Sequence, residues 1–256
     1  MSPSISLHHP VYRIARAFSN GSREILQSVY QVVFPPVCLS CESFLPETSL
    51  KICPECHSTM ERVNAADSLY LEMQQRLCGD GVVDGLVSAF YFEQEGGVQT
   101  LIHRLKYAEM PVVGIELGKY VAVALAGLLH AVPDAVIIPV PLHRAKVRER
   151  GYNQSDYIAR GISNLTGLPV HTRLLRRRRF TATQTRLNRE ERRANVRDAF
   201  EVNRTITPNA SFILVDDVIT TGATILECAR VLRRYGAARV YAASAALASY
   251  SMDQET

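Results

Sequence analysis

From about residue 86 onward, short runs of consecutive apolar residues alternate with longer segments whose apolar positions recur every three or four residues. Runs that are apolar on both faces fit strands buried in a parallel sheet, and stripes with a 3.6-residue period fit the helices that cover it. The pattern predicts strands over Leu86–Phe92, Ala135–Val140, Leu168–Arg173, Ser211–Val215 and Ala238–Leu247. Between them it predicts helices over Gly97–Tyr107, with Leu101 and Leu105 turned inward, and over Gly114–His130, Asn153–Leu165 and Thr224–Tyr235. Asn153 stands where an N-cap belongs, with Asp156 in the first turn, and Gly236 stops the last helix. The expectation is an α/β domain over residues 86–250, a parallel sheet with helices on both faces.

Upstream the texture differs. Ile25, Leu26, Val29, Tyr30 and Val33 form one helical stripe that Phe34-Pro35-Pro36 ends, so residues 1–34 read as an N-terminal segment with a short amphipathic helix. Residues 61–85 show little pattern and read as a connector. Between them, residues 35–60 hold Cys38-x2-Cys41 and Cys53-x2-Cys56, separated by 11 residues. Two such knuckles at this distance have the spacing of a zinc ribbon, because each loop presents two thiolates about one turn apart and tetrahedral zinc takes four. Cys38, Cys41, Cys53 and Cys56 are therefore the expected ligands of one structural Zn2+. His57 directly follows the second knuckle and reads as an exposed loop residue. Cys78 and Cys228 lie apart and read as ordinary thiols.

Hydrophobic residues make up 47% of 256, enough for a full core, and no run reaches the roughly 18 uninterrupted apolar residues of a membrane helix. The longest candidate, Tyr120–Val132, is too short, so no membrane span is expected. Arg13, Arg16 and Arg23 stand without acids in the first 23 residues, but no apolar core and small-residue cleavage site follow, so no targeting peptide is expected. The expected location is cytoplasmic. Charge is unevenly spread: Leu142–Pro208 carries 16 Lys and Arg against 6 Asp and Glu, although the whole chain sums to +4. Arg176–Arg179 form its centre, with Arg186, Arg189, Arg192, Arg193 and Arg197 beyond. A solvated helix face and an anion site for phosphate or nucleic acid both fit this composition.

The most informative stretch is FILVDDVITTGAT, residues 212–224. Ligands of a parallel α/β sheet bind beyond the carboxyl ends of its strands, which is where Asp216 and Asp217 emerge. The turn then enters a helix, so amides from Thr221 to Thr224 can point at a phosphate, with Gly222 allowing close approach and the hydroxyls of Thr220, Thr221 and Thr224 completing the cradle. Carboxylates repel phosphate but accept hydrogen bonds from sugar hydroxyls. A phosphorylated ribose satisfies both halves.

This order of apolar strand, two acids and Thr-Thr-Gly-x-Thr resembles the 5-phosphoribosyl-1-pyrophosphate (PRPP) motif of type I phosphoribosyltransferases. Ile137-Ile138-Pro139-Val140-Pro141 resembles the strand and loop that contact pyrophosphate in amidophosphoribosyltransferases. Lys106-Tyr107, Arg150-Gly151-Tyr152-Asn153-Gln154 and Ala182-Thr183-Gln184 are together similar to the ComF family of competence-associated, phosphoribosyltransferase-like proteins, which also carry an N-terminal zinc ribbon. The resemblance covers nearly the whole chain and implies a type I phosphoribosyltransferase-like sheet. It implies PRPP binding by Asp216, Asp217, Thr220, Thr221, Gly222, Ala223, Thr224, Pro139, Val140 and Pro141. Catalytic roles would fall to Asp216, Asp217 and Lys106, with Mg2+ arriving with PRPP. Lys106 could equally be a solvated helix-end lysine, and Tyr152, Asn153 and Gln154 could be packing residues as readily as ligand contacts. Arg177, Arg178, Arg179 and Arg192 are either hood residues over the substrate or nucleic-acid contacts. Some relatives carry further Cys pairs for a double ribbon, which Cys78 does not match, so one zinc is expected.

Three functions follow from the resemblance. The first is a PRPP-dependent transferase of unidentified acceptor, and with Ser2 at position 2 a glutaminase-type N-terminal cysteine is not expected. The second is a non-catalytic accessory protein that binds nucleotides or single-stranded DNA beside a DNA-uptake helicase or other competence proteins. The third is a PRPP-sensing regulator.

Overall fold

The computed structural model describes residues 36–46, 51–179, 196, 198–203 and 205–248. The expected helix at residues 23–33 and the candidate contact Arg192 lie outside the described residues. The chain divides into two units, Met1–Cys53 and Pro54–Thr256.

In the first unit, a tight turn carries the first knuckle. Cys38 N donates to Ser43 O (2.8 Å) and Leu45 N to Pro36 O (2.8 Å), closing an antiparallel bridge between Val37 and Phe44. Glu42 adopts a left-handed conformation (φ 64°) at its tip.

The second unit begins with α1 (Pro54–Ser58) and α2 (Ser68–Cys78). The expected connector is thus largely a helix, whose inward positions Met73 and Leu77 are buried in the core. Leu69 and Tyr70, partly buried against the same core, continue this stripe at helical spacing, so the helix is legible in the sequence although it was not expected. Then follow β1 (Gly85–Tyr91), α3 (Gly97–Tyr107), α4 (Pro111–Leu129), β2 (Val136–Pro139), α5 (Arg144–Arg150) and α6 (Gln154–Thr166). The remainder is β3 (Leu175–Arg177), β4 (Phe200–Val202), β5 (Ser211–Ile219), α7 (Ala223–Arg234) and β6 (Arg239–Leu247).

The main sheet has the order β1-β6-β5-β2, with every neighbouring pair parallel. Instead of a full strand over Leu168–Arg173, one parallel bridge joins Val170 to Ile137 at the β2 edge. β3 and β4 form a separate antiparallel ribbon that brackets residues 178–199. α4 and α6 cover one part of the sheet, while α7 packs on β5 and β6 and α2 on β1.

Small residues set the close packing. β6 lies centrally, and its Ala242, Ala243, Ala245 and Ala246 are fully buried. The one polar side chain among them, Ser244, is satisfied by donating to Ser88 Oγ (2.9 Å). α4 and α6 cross where Gly118 and Gly161 meet: a Cβ on Gly118 would lie 2.2 Å from Ile158 O, so only glycine permits the approach.

α4 corrects one expectation. It has 19 residues and is long and apolar enough by composition to cross a membrane. The expected span was shorter because Glu116 and Lys119 interrupt the apolar run, and these two pair with each other at 2.7 Å. One face of α4, including Val113, Leu117, Val121 and Leu125, is buried inside the unit, as in a core helix.

Candidate functional site

The acids of FILVDDVITTGAT do not follow the strand; they are inside it. β5 runs to Ile219, with Asp216 in register with Ser244 and Val218 with Ala246 of β6. β2 stops earlier, with Pro139 opposite Val215 and Val140 N donating to Val215 O (2.9 Å). From Asp216 onward the β5 edge therefore loses its β2 neighbour, and a notch opens between the two acids and Pro139-Val140-Pro141. Apolar pattern breaks at a charge even where the backbone ladder continues, which is why the strand looked shorter in sequence.

Three elements converge on this notch. Lys106, in the last turn of α3, places Nζ 3.0 Å from Asp217 Oδ2, both side chains being mostly buried. Ser155, in the first turn of α6, donates from Oγ to Asp216 Oδ1 (3.2 Å), which also accepts from Asp217 N (2.9 Å). Asp217 Oδ1 accepts from Val218 N (2.6 Å). Burial pushes the Asp216 carboxyl up to about 7, and the neighbouring Asp217 charge adds to the rise; the Asp217 amide, Lys106 and Ser155 work against it. Two carboxylates side by side with one lysine leave the pair able to hold a proton near neutrality.

The Arg150–Gln154 segment braces the notch from behind. Tyr152 Oη donates to Leu105 O (2.6 Å), and Asn153 Nδ2 donates to Val140 O (3.0 Å) and Asp156 Oδ1 (2.9 Å). Asn153 occupies the N-cap position of α6 without capping it through its side chain, so the expected cap is instead a tie to the Pro139–Pro141 loop. Arg150 donates to Gln154 Oε1 (3.1 Å) and lies 5.3 Å over the Tyr107 ring.

Beyond β5 the chain turns into α7. Gly222 has φ 74° and is its N-cap; among the described residues no acceptor takes the amides of Thr220, Thr221 or Gly222. Thr221 Oγ1 accepts from Ala223 N (3.4 Å). With Ala223 and Thr224 opening α7, the loop presents free donors at a helix N-terminus, which favours an anion. One detail is corrected here: a Cβ on Gly222 would sit 2.5 Å from Leu77 Cδ2, so this glycine makes room for α2 as well as for the left-handed turn. Sequence reasoning could not see a contact with residue 77.

Of the basic candidates, Arg177 closes β3, and Arg178 and Arg179 follow it. Arg177 lies 5.3 Å over the Phe200 ring, and burial holds its pKa below the usual arginine value. Arg178 pairs with Glu201 at 3.0 Å. A cavity of about 1190 Å³ between α2 and α7 reaches the loop only through Ala223. Of its charges, Arg230 pairs with Asp80 across it (3.1 Å). Ser155 is the functional candidate that sequence reasoning missed; its place in the first turn of a helix that follows the Pro loop was the available signal.

At the other end of the chain, Sγ atoms of Cys38, Cys41, Cys53 and Cys56 all lie within 4.8 Å of one another. Tetrahedral zinc thiolates stand about 3.8 Å apart, given Zn–S bonds of roughly 2.3 Å, and the Cys41–Cys53 pair lies at 3.7 Å. Cys38 Sγ accepts from Ser40 N (3.4 Å) and Cys53 N (3.3 Å). Burial would raise the Cys38 thiol, but backbone amides of Cys41, Cys53 and Ser40 carry it below its ordinary value, toward the thiolate a metal requires. The donor set fits a structural metal such as zinc.

The family model "Phosphoribosyl transferase domain" matches residues 121–253, about half of the chain. The chain belongs to the phosphoribosyl transferase domain family, within its ComF group. It is 37% identical over 142 residues to "Competence protein F" of Haemophilus influenzae, covering 53% of this chain and 62% of that protein. It is 34% identical over 147 residues to "DNA utilization protein YhgH" of Escherichia coli, covering 55% and 63%. With "Competence protein ComFC" of Bacillus subtilis it shares 24% identity over 216 residues, 79% and 80% of the two chains. The matched region thus spans less than two thirds of the first two relatives. Among solved structures, the allosteric regulatory enzyme of purine biosynthesis aligns with TM-score 0.38 and 23% identity, over 56% of this chain and 30% of that one.

Proposed function

We propose that the notch at the end of β5 binds PRPP or another ligand containing ribose 5-phosphate. The observation that carries this reading is the overhang of β5 beyond β2. It sets two carboxylates beside a loop whose amides and hydroxyls lead into the N-terminus of α7. Asp216 and Asp217 would accept from the ribose hydroxyls, and Thr220–Thr224 would hold the 5-phosphate.

Lys106, at 3.0 Å from Asp217, would meet negative charge that develops on a departing pyrophosphate. Val140 and Pro141 border the same space. Mg2+ would arrive with the pyrophosphate, and the carboxylates are hard oxygen donors suited to it; the ion would neutralise leaving-group charge. The protein's own share is to fix the ribose for in-line attack. The metal knuckle would hold zinc, its thiols kept reduced in a cytoplasmic setting.

The relatives named for competence and DNA utilization support a role in DNA uptake or use for the whole protein. Equilibrium dialysis with PRPP and magnesium tests the binding reading: saturable binding of one PRPP per chain is expected, and no binding would overturn it. Pyrophosphate release with a pool of bases and amines then separates turnover from sensing.

A further inference from the structure

Glu227, in the second turn of α7, takes no part in the notch, yet no other Asp, Glu, Lys or Arg among the described residues is as deeply buried (7% exposed). Burying a carboxylate is costly unless hydrogen bonds satisfy it, and an apolar side chain would fill the same place at less cost. Its Oε1 accepts from Asp198 N (2.9 Å), while Oε2 lies 4.0 Å from Arg230, which stands nearer to Asp80 (3.1 Å). The close partner of this carboxylate is thus a backbone amide from outside its own helix. Asp198 adopts a left-handed conformation (φ 55°), which strains a residue other than glycine, so the amide that Glu227 holds belongs to a turn that needs support.

That turn leads into the β3–β4 ribbon. Directly after it, Ala199 O accepts from Arg178 N (2.8 Å), and Phe200 opens β4 in register with Arg177. The Phe200 ring belongs to the core and lies 5.3 Å under Arg177. Arg177 borders a hollow of about 560 Å³ together with Pro141 of the notch. Burial holds its pKa down, and Cys228 and Asp216 work the other way, so Arg177 and the acid pair act on one another. A path of hydrogen bonds and packed rings therefore runs from α7, the helix that the phosphate loop opens, to Arg177. From this path we infer that Glu227 is a positioning residue of the proposed PRPP site: by holding the Asp198 amide it fixes the ribbon on α7 and sets Arg177 against the notch. The inference rests on the PRPP reading of that notch. A guanidinium recognises its partner through a rigid planar fork, and misplacing such a group by about 1 Å is costly to a site that depends on alignment. What position 227 must supply is an oxygen acceptor, which an uncharged amide also offers.

The test is calorimetric titration of PRPP with magnesium, and of inorganic phosphate, into the full chain and four variants: Glu227→Gln, Glu227→Met, Arg177→Met, and Glu227→Met combined with Arg177→Met. Glu227→Gln keeps an oxygen for Asp198 N and is expected to bind PRPP within about twofold of wild type, whereas Glu227→Met keeps the bulk alone and should weaken it about fivefold or more. Inorganic phosphate, held by the loop, should bind all five proteins alike. The double variant should bind PRPP no more weakly than Arg177→Met, because a residue that acts through another adds nothing once that other is gone. Additive losses in the double variant overturn the proposal. So does equal weakening of inorganic phosphate, which would make Glu227 a support of α7 alone. Glu227→Gln as weak as Glu227→Met, or Glu227→Met unfolded by circular dichroism, gives the carboxylate a different role and overturns it as well. PRPP binding unchanged in Glu227→Met defeats this inference while the PRPP reading stands; wild type that binds no PRPP defeats both.

Discussion

Asp216 carries the tension between stability and ligand recognition in a single side chain. Its folded pKa, about 7, lies above the roughly 3.9 of an unfolded aspartate, so the folded state binds the extra proton between these values. Its contribution to stability is therefore fullest below about pH 4 and is lost as pH rises through about 7. Asp216→Asn removes the charge while keeping an oxygen for Ser155 Oγ and Asp217 N. Thermal melts should show this variant more stable than wild type at pH 8, by about 1–3 kcal/mol, with the gain vanishing toward pH 4. Equal stability at both pH values would mean that the carboxylate ionises without cost. Sugar hydroxyls that donate to Asp216 favour its charged form, so PRPP binding at pH 6.5 should release protons. Calorimetry in buffers of different ionisation enthalpy reads that release, and its absence would place the hydroxyls elsewhere.

At the scale of elements, the turn from β5 into α7 joins two demands at Gly222: a left-handed backbone and space for Leu77. Gly222→Ala should cost about 1–3 kcal/mol in chemical denaturation. Leu77→Ala in the same chain should recover the steric part of that cost, seen as a double-mutant coupling energy. Strictly additive effects would show that backbone strain accounts for the whole penalty. This turn also shows what sequence could reveal. The strand, acids and threonines of residues 212–224 were legible because apolar runs, charge and helix-start residues are local signals. The contact of α2 with Gly222 was not, because a contact between residues 77 and 222 leaves no trace in local periodicity. The β3–β4 ribbon escaped for a related reason: three-residue strands rich in arginine, Leu175–Arg177 above all, have no alternation to detect. Ser155 offered only its place in the first turn of α6, its role being set by a partner 61 positions away.

For the molecule as a whole, charge is segregated by task. Among the described residues, Arg144 stands just beyond Pro141 and Arg176 and Arg177 on β3, while the site's acids stand on β5. The four thiols form a separate centre. Elemental analysis of protein grown with ample metal should find one zinc per chain, and Cys56→Ser should lower that content sharply; zinc-free wild type would contradict the assignment. The central claim remains the division of labour in the notch, with acids for ribose and the loop for phosphate. Its most direct test is titration of ribose 5-phosphate and of inorganic phosphate into wild type and Asp217→Asn. Loss of charge-assisted hydrogen bonds, each worth about 1.5–3 kcal/mol, should weaken ribose 5-phosphate at least tenfold in the variant and leave inorganic phosphate nearly unchanged. Equal affinity of ribose 5-phosphate for both folded proteins would contradict the claim.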